Sequence, residues 1–267
     1  LAGSALNRLS CASPTASNVN PTSQMAMPML PMTYFGNEET SVALWRTYEK
    51  FFQGKNDLPG VKTLALITTP GASLFNMKDQ PIQSMADMQG LKIWTVPGIT
   101  ADLLSALGAV ATPGPAVRMY EVISGGIVDA YCCINFESLE VFNVSQYLGA
   151  TTEIPGRLFA PAFAVFLKND IWDSISPEDQ AAIMEVSGET FAHRGSFGDP
   201  KEAEARQRAM DRGIPVEQAS DEFVAEIEAA FEPILEAWYA EVEKVGIDGK
   251  AALEYYLAEQ DKIEAGN

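Results

Sequence analysis

Two adjacent thiols, Cys132 and Cys133, and one imidazole, His193, are the side chains of this sequence best equipped for covalent or acid–base chemistry. A cysteine nucleophile needs a neighbouring base to hold it as the thiolate. His193 lies far along the chain, between Ala192 and Arg194 near the end of a helical stretch, and no third orienting residue is indicated by spacing. The pair therefore reads as a nucleophile, a strained vicinal disulfide or plain packing at a strand end, with packing favoured. His193 reads as a partner for a helix C-terminal dipole. With Cys11 the cysteines number three, an odd count without CxxC spacing, which indicates neither a disulfide framework nor a zinc site. No Gly-rich phosphate loop, HExxH or GxSxG occurs. The expectation is a non-catalytic binding module with no cofactor and no metal; a thiol-dependent enzyme built on Cys132 and Cys133 is the alternative of another class.

Composition narrows the partners. The chain has 267 residues, 47% of them hydrophobic, enough to bury a sizeable core in one large or two modest domains. With 36 Asp plus Glu against 18 Lys plus Arg, the net charge is -18, which repels phosphate backbones and anionic lipid surfaces. Nucleic acid is therefore not an expected partner, and no run of 18 apolar residues exists to insert into a bilayer. From Asp199 to Asn267 there are 18 acidic and 7 basic residues. Such a block reads first as a solvated helical face, and second as adaptation to high salt.

The elements that must position any site follow from periodicity. Residues 1–33 read as loop with one short strand. A helix is expected over Glu38–Gln53, closed by Gly54, and a buried strand over Val61–Thr68 between Gly60 and Pro70. Strands follow at Leu91–Val96, Val110–Thr112, Ile127–Ile134 and Leu158–Leu167. Helices are expected at Thr100–Leu107, Arg118–Ser124 and Glu137–Tyr147. Ser176-Pro177-Glu178-Asp179 starts a helix running towards His193. Helical stretches continue over Lys201–Arg212 and from Ser220 through Val242, kinked at Pro233. This alternation predicts an α/β architecture with largely parallel sheets.

The order of several motifs is more specific. Gln80-Pro81-Ile82-Gln83-Ser84-Met85-Ala86-Asp87-Met88-Gln89-Gly90-Leu91-Lys92-Ile93, then Leu107-Gly108-Ala109, Tyr120-Glu121 and Gly126-Ile127-Val128-Asp129-Ala130, resembles the DctP-type solute-binding proteins of tripartite ATP-independent periplasmic (TRAP) transporters. Asn169-Asp170-Ile171-Trp172 with Ser176 to Ile183 resembles a further segment of that family. The similarity covers about residues 28–193. It implies a two-lobed periplasmic-binding-protein-like fold with long C-terminal helices, a periplasmic location, capture of a small solute in the cleft between lobes, and delivery to membrane permease subunits. The expected division is a first lobe over residues 1–93 with part of the C-terminal helices, a second over 94–190, and a helical crossing and packing segment over 191–267. Family members carry a β-α-β segment before the point where this sequence begins, so part of the first lobe is expected to lie outside it.

The resemblance also implies where the ligand sits. Most family members have an arginine directly after the Gly-Leu-Lys-Ile strand, where it clamps a ligand carboxylate; here that position is Trp94. A second arginine of some members falls in a stretch that reads Ser73-Leu74-Phe75, and the residues after the later strand are Tyr131, Cys132 and Cys133. A carboxylate without a cation in a closed cleft is costly. The expected ligand is therefore a small amine such as ethanolamine or a choline-like compound, walled by Trp94, Tyr131, Phe136 and Phe163, with Glu137 as countercharge. Phe136 and Phe163 as ordinary core, and Glu137 as a helix-dipole partner, are the plainer readings of those residues. An uncharged polyol or osmolyte, or a carboxylate held by a relocated Arg118 or Arg157, remain alternatives. A ligand-gated sensory module is a third use of the same lobes.

Overall fold

The computed structural model describes residues 9–12, 24–55 and 58–266. Its strands are β1 (Leu9–Ala12), β2 (Val61–Thr68), β3 (Leu74–Asn76), β4 (Lys92–Thr95), β5 (Val110–Pro113), β6 (Ala130–Tyr131), β7 (Ala150–Glu153), β8 (Ala162–Lys168) and β9 (Val216–Gln218). They form two sheets, one of three strands in the order β1-β8-β2 and one of six in the order β5-β4-β6-β3-β7-β9.

The small sheet is antiparallel throughout, Val61 facing Lys168 and Thr68 facing Ala162 across β2 and β8. Helix α1 (Asn37–Thr47) packs on β2. Thr40, Ser41, Ala43 and Leu44 of this helix are all fully buried, and Thr40 Oγ1 donates to Gln260 Oε1 at 2.8 Å. Ser41 Oγ donates to Asn37 O at 2.6 Å and meets Thr68 Oγ1 at 2.9 Å. The expected helix to Gln53 changes character after Thr47, continuing as a π-helical turn over Tyr48–Phe52.

In the large sheet β5, β4 and β6 run parallel, as do β7 and β9, but β3 runs antiparallel to both its neighbours. The expectation of largely parallel sheets is corrected on this point and in the small sheet, where both pairings are antiparallel. The expected strand over Ile127–Ile134 contracts to Ala130–Tyr131. Ile127 is half exposed, and Cys133 takes a left-handed φ of 68° that turns the chain out of the sheet. Strands β3, β7 and β9 are additions to the sequence reading.

The helices between strands are α2 (Met85–Met88), α3 (Ile99–Ala106), α4 (Met119–Ser124) and α5 (Phe136–Val141). After β8 come α6 (Asn169–Trp172), α7 (Pro177–Glu185) and α8 (Gly188–Ala192). Ser176 caps α7 through Asp179 N at 3.2 Å as expected. The helix does not reach His193 unbroken: Gly188 has φ +57°, and a Cβ there would lie 2.9 Å from the Trp45 ring. Last come α9 (Gly198–Asp211), α10 (Asp221–Glu243) and α11 (Gly249–Glu264). Helix α10 runs through Pro233, burying Phe223, Ile227, Phe231, Trp238 and Val242 while Glu222, Glu228, Glu232 and Glu236 face solvent. Within the acidic block, these α10 carboxylates form a solvated helical face, while Glu259 is buried.

The chain leaves the small sheet after Thr68, enters the large one at Leu74, returns to the small sheet between Glu153 and Ala162, and re-enters the large one at Val216. A close approach guards one strand entry: a Cβ on Gly149 would lie 2.4 Å from the backbone C and O of Lys78. Gly149→Ala is expected to destabilise the fold by about 1–3 kcal/mol, read from the urea midpoint, because backbone cannot yield as a side-chain tip can.

Candidate functional site

Register places one transverse row of residues across the large sheet. Thr112 faces Trp94, Trp94 faces Tyr131, Tyr131 faces Phe75, Phe75 faces Thr151, and Thr151 faces Val216. Register partners point to the same face, so Trp94, Tyr131 and Phe75 stand side by side on three adjacent strands. The Phe75 and Tyr131 ring centroids are 5.4 Å apart, and Phe136 meets Phe75 edge-on at 5.2 Å. All four rings are 2% exposed or less. Within this row three buried polar atoms have no partner among the described residues: Trp94 Nε1, Tyr131 Oη and Thr151 Oγ1. Such atoms are uncommon because each carries a desolvation cost. Burial also pushes the Tyr131 phenol well above its ordinary range, so it stays protonated and able to donate.

Beside the row, Tyr131 leads into Cys132 and Cys133, both free and buried. Their sulfurs are 3.4 Å apart, and Thr95 Oγ1 lies 3.1 Å from Cys133 Sγ. The hydrogen bond to Cys133 and burial push the Cys132 thiol well up. Burial also opposes ionisation of Cys133, but its hydrogen bonds with Cys132, Thr95 and Val96 bring it below its ordinary value. His193 is elsewhere: its Nδ1 sits 2.7 Å from Glu38 Oε1 of α1. The described surroundings of the thiols thus hold no imidazole.

Where three connections between the sheets meet, Tyr34, Pro70, Gly71, Arg157, Asp199 and Glu202 help line a cavity of about 360 Å³. Tyr34 donates to Asp199 Oδ1 at 3.0 Å. Glu202 accepts the first backbone N–H groups of α5, from Phe136 at 2.9 Å and Glu137 at 3.0 Å, yet burial still raises its carboxyl. Arg157 Nη1 donates to Ser73 Oγ and Glu153 Oε1, both at 3.1 Å. Its aliphatic stem occupies the space a Cβ on Gly71 would need.

The structure brings Trp94, Tyr131, Cys132, Cys133 and Phe136 into one neighbourhood, with half-buried Glu137 at the start of α5. Phe163 lies on β8 in the other sheet, facing Ile67. Arg118 is on the surface, its side chain 71% exposed and paired with Glu121 at 3.5 Å. Phe75, Thr151, Glu153, Glu202 and Arg206 are the site-region residues that periodicity did not single out. Only Phe75 lay in a stretch the resemblance had marked.

Two α/β sheets joined by several crossing connections, with a polar junction between them, define a two-lobed binding protein. The chain belongs to the DctP family, bacterial extracellular solute-binding protein family 7, whose model matches residues 6–242. Members of the family are solute receptors, and this chain is a periplasmic solute-binding protein. It is 35% identical over 230 residues to the outer membrane transporter protein TsaT of Comamonas testosteroni, covering 86% of this chain and 68% of the relative. It is 28% identical to a TRAP periplasmic solute-binding protein of Bordetella bronchiseptica with bound (R)- and (S)-mandelate. The TM-score is 0.87, covering 97% of this chain and 82% of that one. A marine metagenome TRAP solute-binding protein in complex with metahydroxyphenylacetate shares the fold at a TM-score of 0.84 and 23% identity, covering 96% and 80%. No helix among the described residues is long and apolar enough to cross a membrane.

Proposed function

We propose that this protein captures a small aromatic carboxylate between lobes centred on the two sheets and hands it to the membrane permease subunits of a TRAP transporter. The observation that carries this reading is the pair of buried, unpartnered groups Trp94 Nε1 and Tyr131 Oη on one row. An indole N–H can only donate, and it needs an acceptor such as a carboxylate or hydroxyl oxygen. An ammonium ligand would meet the ring faces but leave that donor unmatched. Beside the ring of Phe136, Glu202 already accepts the two backbone N–H groups that open α5, and Glu153 on β7 is taken up by arginines. The rings of Trp94, Tyr131, Phe75 and Phe136 suit an aryl group. Mandelate on the Bordetella bronchiseptica relative supports the same class. Arg157, at the junction beside Ser73, is better placed than surface Arg118 to offset the negative charge.

A thermal-shift screen with mandelate, ethanolamine, choline and glycerol tests this. Mandelate at a hundredfold over its Kd is expected to add about 2.7 kcal/mol, raising the midpoint by roughly 5–10 °C. A rise with ethanolamine or choline alone would overturn the acid reading in favour of an aromatic cage for an amine.

A further inference from the structure

Cys132 and Cys133 are adjacent, reduced and buried, their sulfurs 3.4 Å apart against Thr95. Free thiols at hydrogen-bond distance are unusual company for a protein of an oxidising compartment, where such pairs tend to close. The local backbone already departs from strand geometry, since Cys133 holds a left-handed φ of 68°, a conformation that costs a non-glycine residue and persists only where its surroundings enforce it. We propose that Cys132 and Cys133 form a redox-labile dithiol that closes to a vicinal disulfide by exchange with a disulfide-bearing oxidant when the lobes part.

The chemistry balances in two exchanges. The Cys133 sulfur, as thiolate, attacks one sulfur of the oxidant, forming a mixed disulfide and expelling one thiolate. The Cys132 sulfur then attacks the Cys133 sulfur of that mixed disulfide and expels the second. Two protein S–H bonds are lost, one S–S bond forms, and the oxidant leaves as two thiols carrying the two protons. Cys133 is suited to act first because its hydrogen bonds with Cys132 and Thr95 favour its ionised form.

Geometry makes the product reversible. Neighbouring Cα atoms are about 3.8 Å apart, inside the roughly 4.4 Å lower bound of ordinary disulfides, and a strained bond is more easily reduced. The loop closed is the shortest possible, so the bond restricts the unfolded chain very little. Oxidation is therefore expected to lower the thermal midpoint, the reverse of a structural disulfide. Both thiols are 2% exposed or less, so the oxidant reaches them only after opening, and occupancy of the aromatic row retards the reaction. That last clause alone rests on the ligand reading above.

The test uses the full chain, reduced and then incubated with oxidised glutathione with and without mandelate. Remaining thiols are alkylated before tryptic digestion. No lysine or arginine lies between Arg118 and Arg157, so both cysteines fall in the peptide Met119–Arg157. The expected result is a peptide lighter by two hydrogens and free of alkyl groups in more than half of the native protein. Dithiothreitol should reverse it, and Cys132→Ser should leave Cys133 as a glutathione adduct. A doubly alkylated peptide, or a bridge to Cys11, would overturn the proposal. Oxidation at an unchanged rate with mandelate present would uphold the dithiol and count against the aromatic-acid ligand.

Discussion

Replacing Glu153 with alanine is expected to lower the unfolding free energy by about 3–5 kcal/mol, because it strips the shared anion from two partly buried guanidinium groups. Glu153, 3% exposed at the end of β7, accepts from Arg157 Nη1 at 3.1 Å, Arg206 Nε and Nη2 at 2.9 Å each, and Gln218 Nε2 at 2.8 Å. Burial alone would raise its carboxyl, but the Arg206 and Arg157 contacts hold it below the ordinary range. The sign follows from that depression. The stabilisation is fully present above the unfolded value near about 4.3 and is lost as pH falls through the lower folded value. Urea titrations from pH 7 downward should show a steep acid limb below about pH 4 in the wild type and a shallower one in Glu153→Ala. Equal slopes would mean that Glu153 is not held ionised by its arginines. Glu153→Gln, which keeps an acceptor, should be less damaging.

Tyr131→Phe is expected to do two opposite things. Removing a buried hydroxyl that has no protein partner relieves a desolvation cost, so the unliganded protein should gain up to about 1 kcal/mol. The same change removes a donor from the proposed ligand, and affinity for mandelate should fall about tenfold, equivalent to roughly 1.4 kcal/mol. Trp94→Phe should weaken mandelate to a similar degree but, by leaving a void where an indole stood, lower stability as well. Since the two residues are neighbours, the double variant need not show the product of the single effects. Calorimetry for affinity and urea unfolding for stability separate the two readouts. A loss of stability without loss of affinity in Tyr131→Phe would show that the hydroxyl serves the core instead of a ligand.

The elements that were legible carry strong local signals. Val61–Thr68 emerges as written because its β-branched and aliphatic run is bracketed by Gly60 and Pro70, and Ser176-Pro177 starts α7 through capping geometry that is local. What escaped depends on partners distant in sequence. Leu74–Asn76 is only three residues long yet lies within the six-stranded sheet between β6 and β7. Ala150–Glu153 has no apolar alternation to mark it as a strand, yet it pairs with β3 and β9 and every residue is buried. Trp94 and Tyr131 could be placed near a ligand by resemblance alone; that their rings share one row needed the register. Of the junction, Arg157 was marked as a candidate carboxylate clamp, but its partners Glu153, Arg206 and Glu202 were invisible for the same reason. Each of those three partners looks like ordinary surface charge until Arg206 and Glu202 of α9 meet Glu153 of β7 and the start of α5.

The interleaved strand order also has a bearing on when the molecule can assemble. During synthesis from the N-terminus, β2 waits for β8, β7 waits for β9, and α1 waits for α11 to cover it. Neither sheet can be completed from a contiguous stretch of chain, so no nascent fragment owns a finished core. High contact order of this kind slows folding, and it holds off the cooperative step until nearly the whole polypeptide is available. For a protein whose working place is the periplasm, that delay is an asset: the chain stays threadable through a translocation channel, and both lobes then condense together on the far side.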